Sequence, residues 1–143
     1  MLPVTGNEWI VDYHVDLARA LAPIGGPLFY GPTFERIVDW LPLLYEKGAV
    51  GPGGYTGAHY CHEIDYKKVI DFHQKHDLYV SVGVPDKILL SGPASAIEEE
   101  VKVRCEYGKS HPKFSIGGDA VDYWTPQANL DAFVAACKKY GKL

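Results

Sequence analysis

LYVSVGVPDKILLSGPASAIEEEVKVRCEYGKSHPKFSIGGDAVDYWTPQANLDAFVAACKKY, residues 78–140, alternates strand-like and helix-like patterns twice over. It opens on Leu78–Val84, a near-continuous apolar run with β-branched residues and Tyr79. Runs of this kind mark strands buried on both faces, as in parallel sheets. Gly83-Val84-Pro85-Asp86 follows, then a Leu89-Leu90-Ser91-Gly92 turn. Pro93–Tyr107 reads as a helix, acidic early at Glu98–Glu100 and basic late at Lys102 and Arg104, which complements the helix dipole. Lys113–Gly117 supplies a second short strand that runs into Gly118-Asp119. Thr125-Pro126 starts the last helix, with proline at its favoured first position, and Leu130, Phe133, Val134 and Cys137 form its buried stripe.

Towards the N-terminus the pattern is less regular. A first helix is predicted over Glu8–Leu21, with Ile10, His14, Leu17 and Leu21 on one stripe, stopped by Pro23, Gly25 and Gly26. Pro27–Tyr30 makes a short apolar strand. A helix capped at Thr33 follows, burying Phe34, Ile37, Leu41 and Leu44 and ending at Gly48, with a kink or early break at Pro42. Ala49-Val50 is the remaining apolar pair for a strand, and Gly51–His62 is a long Gly-rich, aromatic loop. Asp65 caps a helix in which Tyr66, Val69, Ile70 and His73 share a face up to His76. Strand followed by helix, four times over behind a leading helix, indicates a parallel α/β architecture in a single domain over residues 1–143. The strand C-terminal ends then share one rim, where the chemistry of such folds gathers.

Composition narrows the function classes. Eighteen acidic against 14 basic residues, without a basic tract, argue against a nucleic-acid grip. No apolar run approaches the roughly 20 residues of a membrane span. Three irregularly spaced cysteines, with no leading signal-peptide pattern, point to reduced thiols and a cytoplasmic location. Ten tyrosines and three tryptophans suit a pocket, an interface or both.

The order Gly83-Val84-Pro85-Asp86, Leu89-Leu90-Ser91-Gly92, Ile97-Glu98-Glu99-Glu100-Val101, Phe114–Asp119 and Asn129–Phe133 resembles the last two β/α units of the uroporphyrinogen decarboxylase superfamily, which includes corrinoid-dependent methyltransferases. The resemblance implies the C-terminal half of a TIM-type (β/α)8 barrel, since a full barrel takes about 250 residues. Its methyltransferase members bind zinc through a His-x-Cys after the fifth barrel strand and a cysteine after the eighth. The matching positions are Leu28, Tyr30 and Gly118, none of them a zinc donor. Decarboxylase members carry a histidine where Gly118 stands, and their substrate-binding arginines, aspartate and tyrosine belong to the N-terminal half.

His59-Tyr60-Cys61-His62-Glu63 is the one dense cluster of potential ligands. His59 with Cys61 or His62 could hold zinc; the alternative is a hydrogen-bonded loop with a buried cysteine. Asp86 and Asp119 both follow strand ends and could share a catalytic pocket as a carboxylate pair, or serve as helix-cap and turn aspartates. Tyr30, Tyr55 and Trp124 offer aromatic walls for a flat substrate or a surface for a partner. Gly51-Pro52-Gly53-Gly54 lacks the Lys-Ser/Thr of a phosphate loop and reads as a turn. His14, His73 and His76 sit on helices away from the rim and read as packing or surface residues.

The resemblance implies methyl transfer from a small donor, with the corrinoid supplied through a partner protein. The alternatives are a tetrapyrrole decarboxylase and a non-catalytic half-barrel subunit completing a partner. Open strand edges are normally paired or covered. A homo-oligomer, or association with an N-terminal half-barrel partner, is therefore expected.

Overall fold

The computed structural model describes residues 5–21, 23, 37–48, 65–118 and 121–141. The predicted strands at Pro27–Tyr30 and Ala49–Val50, the Thr33 cap and the Gly51–His62 loop lie outside these residues. The elements in chain order are α1 (Thr5–Leu21), α2 (Ile37–Glu46), α3 (Tyr66–Lys75), β1 (Val80–Val84), α4 (Asp86–Ser91), α5 (Ala94–Gly108), β2 (Phe114–Gly118) and α6 (Gln127–Tyr140). Helices and strands mix as the sequence predicts, and β1 and β2 form a parallel pair in the register Val80↔Phe114 to Val84↔Gly118.

The strands differ from prediction in how they are buried. Val80, Val82 and Val84 are almost fully buried, whereas Tyr79 is 56 % exposed and Ser81 half-buried. Burial alternates with a period of two from Leu78 to Val82, so the valines share one face, while Gly83 on the other face is buried as the prediction has it. The other face carries Ser81 beside Ser115 and Gly83 beside Gly117.

Two apolar clusters lie along the valine face. Val80 and Val82 join Val11, Val15, Leu41, Leu44, Val69, Ile70 and Phe114. Val84 joins Leu89, Ile97, Val101, Cys105 and Ala136. Ile116 packs against both clusters.

Local chemistry explains the helix boundaries. Asp65 accepts hydrogen bonds from the Lys67 and Lys68 amides at 3.2 and 3.3 Å, satisfying donors that a helix start leaves orphaned. Helix α2 continues through Pro42 to Glu46 and stops at Gly48, whose φ of +78° suits glycine.

The predicted Leu89–Gly92 turn is instead the end of a helix. Pro85 leads into α4, Leu89 is buried, and Gly92 closes the turn at φ +63°. The Asn129 amide of α6 donates to the Leu89 carbonyl at 2.8 Å and the Leu90 carbonyl at 3.4 Å, capping α4 from outside.

The stripe predicted for α6 is only partly covered. Ala136 is its buried residue, Val134 is 46 % exposed, and Leu130, Phe133 and Cys137 are half-buried. Helix α6 lies on α5, where Glu98 accepts from Lys139 at 2.7 Å and from the Tyr140 hydroxyl at 2.9 Å. No helix among the described residues is long and apolar enough to cross a membrane.

Candidate functional site: a groove at the end of β1

Beyond the last residue of β1 the chain enters Pro85 and α4, and an open groove of about 680 Å3 begins there. Asp65, Tyr66 and Lys67 at the start of α3 form one wall, Pro85, Lys87 and Ile88 the floor, and Glu100 and Arg104 of α5 the other wall.

Arg104 is the unusual member. It is only 6 % exposed, which is rare for arginine unless the charge is paired. Its Nη1 donates to the Glu100 carboxylate and, at 3.2 Å, to the Glu100 carbonyl. The guanidinium carbon lies 4.5 Å from the centre of the Tyr66 ring, a cation–π stack. Its Nε is buried without a hydrogen-bond partner among the described residues.

Tyr66 is held in turn by an edge-to-face contact with Tyr107, centroids 6.2 Å apart. The Tyr107 hydroxyl donates to Asp71 at 2.8 Å, a bond that raises its pKa. A rigid aromatic and cationic wall results. Among the described residues the groove carries three cations, Lys67, Lys87 and Arg104, against two carboxylates, Asp65 and Glu100.

Of the residues singled out in sequence, Asp86 and Trp124 fall within the described residues; Asp119, Tyr30, Tyr55, His59, Cys61 and His62 lie outside them. Asp86 is the first residue of α4, exposed, with its carboxylate 2.7 Å from the Lys87 amide. Pro85 holds the cap position, so Asp86 is a first-turn carboxylate and not the cap itself. Trp124 is 78 % exposed and meets Tyr123 edge-to-face at 5.1 Å.

The described strand ends do not fit zinc. Val84, Pro85, Gly117 and Gly118 have no donor side chain, and no group of three His, Cys, Asp or Glu residues converges among the described residues. Burial pushes the Cys105 and Cys137 thiols up, which favours the unreactive protonated form.

The groove is not legible in the sequence for a simple reason. Glu100 and Arg104 are four residues apart, ordinary helix pairing, and nothing in that spacing reveals that Arg104 is buried under Tyr66. Tyr66 was legible as a buried-face residue; its partner was not.

Comparisons with known proteins return no match to any family model, curated protein or solved structure.

Proposed function

We propose that the chain is a β/α segment of a uroporphyrinogen decarboxylase-like barrel, descended from a corrinoid-linked methyltransferase. Its contribution to the site is the α3–α5 groove, which binds a small molecule through an anionic group. Position carries this reading: the groove opens at the carboxyl end of β1, where parallel α/β proteins hold their ligands. The excess of cations among its lining residues supports an anion. Titration with inorganic phosphate and small carboxylates is expected to shift the amide resonances of Lys87, Ile88 and Arg104. Unmoved resonances at about 10 mM ligand, enough to load a site of roughly 1 mM affinity, would remove the binding claim.

Zinc on this reading belongs to His59, Cys61 and His62, acting as a Lewis acid, with the corrinoid on a partner protein. Stoichiometric zinc that is lost in His59→Ala and Cys61→Ala is the expected metal analysis, and a zinc-free wild type would sink the methyl-transfer part.

One observation favours a second reading, a non-catalytic subunit that completes a partner's sheet. Val80 donates to the Lys113 carbonyl at 3.0 Å, which sets the ladder so that Ile116 turns its N–H and C=O away from β1. Beside that edge lies a groove of about 160 Å3 lined by Cys105, Phe114, Ile116 and Tyr140. A further strand laid along this edge predicts an oligomer in size-exclusion chromatography with light scattering. A stable monomer would count against it.

A further inference from the structure

Among the described residues β2 is an edge strand, and the groups along its outer side follow a definite order. Alternation along the ladder turns Phe114, Ile116 and Gly118 away from β1. The Phe114 amide is already committed to the His111 carbonyl at 3.0 Å. The edge therefore presents the Phe114 carbonyl as an acceptor, Ile116 as donor and acceptor, and the Gly118 amide as a donor. An acceptor at one end, a donor at the other and both in the middle form a pattern that complements itself under two-fold rotation.

The usual guards of an open edge are withdrawn from this one. Lysine and proline commonly blunt such strands. Here the Lys113 ammonium is tied back to the Asp77 carbonyl and carboxylate, both at 2.7 Å, and Pro112 precedes the strand.

We propose that β2 pairs antiparallel with β2 of a second copy of this chain, about a two-fold axis at Ile116. The proposal rests on the sheet-completing reading above and names its partner.

The side chains fit that register. Phe114 falls opposite Gly118 of the partner subunit, so a ring meets a residue without a side chain. Ser115 falls opposite Gly117 of the partner subunit, small against small. Ile116 meets its own copy, and residues opposite each other in an antiparallel pair share a face. For Ile116 that face is the valine face, where the groove of about 160 Å3 lined by Cys105, Phe114, Ile116 and Tyr140 lies beside the edge. A space of that size takes a benzene-sized apolar group, and the partner's Ile116 supplies one. The rotation also sets the two α5 C-terminal ends at opposite ends of the paired strands, so Lys109 on the groove does not meet its copy. Two described strands become four, above the three or more that a sheet with one apolar face needs for stability of its own.

Amide hydrogen exchange of the wild type at about 5 and about 500 µM tests the pairing, because the dimer population follows concentration. The Ile116 amide is expected to slow by about tenfold or more at the higher concentration. Ile116→Cys is expected to give a disulfide-linked dimer with oxidised glutathione as the electron acceptor, since directly paired Cα atoms lie about 5.5 Å apart. Ser115→Cys is expected not to exceed the wild type, because its two copies are diagonal neighbours roughly 7–8 Å apart. An Ile116 amide protected in an oligomer whose Ile116→Cys form does not cross-link would overturn the two-fold register and leave the sheet-completing reading standing. A monomer in light scattering at about 500 µM would overturn both. Should Ile116→Cys not fold, the wild-type amide decides it: an Ile116 exchange rate unchanged by concentration would overturn the proposal.

Discussion

Gly108→Ala is expected to lower stability by roughly 1 kcal/mol, although alanine is the better helix former. Gly108 ends α5, and the ring of Phe114 lies flat against it. A methyl group there would sit 2.5 Å from Cγ and 2.6 Å from both Cδ atoms of that ring. These atoms are close to the backbone of β2, so a small side-chain rotation does not clear them. Phe114 is 9 % exposed and packs with Val80 and Val82, and moving it disturbs the strand pair itself. Overpacking of this kind costs about 1–3 kcal/mol, more than the helix-propensity gain of about 1 kcal/mol. Urea denaturation is the measurement. In a Phe114→Leu background the same substitution should cost distinctly less, and an equal cost in both backgrounds would mean that the ring is not the obstacle.

The Glu100–Arg104 pair is expected to respond unequally to loss of its two members. Glu100→Ala leaves a guanidinium buried under Tyr66 without its carboxylate, and a loss of about 3 kcal/mol is expected. Arg104→Met removes the charge, keeps much of the volume and should stay within about 1 kcal/mol of wild type. Denaturant midpoints of the two variants compare them directly. Equal losses would show that packing, not the uncompensated charge, dominates at this wall. Because Arg104→Met should remain folded, it also serves as the binding-deficient variant for the phosphate titration.

The legible parts of this chain are those governed by local chemistry. Asp65 as a cap, the last helix beginning after Thr125-Pro126 and the two parallel strands follow from residue type and spacing. Helix α5, by contrast, carries no acidic residue in its first turn and no basic one in its last, so its charges do not sit at the dipole ends. What escaped the sequence depends on contacts between distant segments. The Leu89–Gly92 helix end is settled by Asn129, and Arg104 becomes buried because Tyr66, 38 positions earlier, covers it. His73 is the buried packing residue that its place on the Val69–Ile70 face of α3 implies. The periodicity of Leu78–Val84 identifies a strand, but its small residues at Ser81 and Gly83 leave a second face that an apolar count does not distinguish.

The cap that Asn129 places on α4 has a consequence for timing. Six residues are too few to hold a helix in water, so α4 depends on partners outside itself. One of those partners lies 40 residues further along the chain. During synthesis at about 5–20 residues per second, that stretch takes roughly 2–8 s to emerge. For that interval the floor of the groove at Lys87 and Ile88 has no outside cap, whatever the state of β1. The rim at the end of β1 is thus finished late, by a helix that supplies none of the groove's described lining residues.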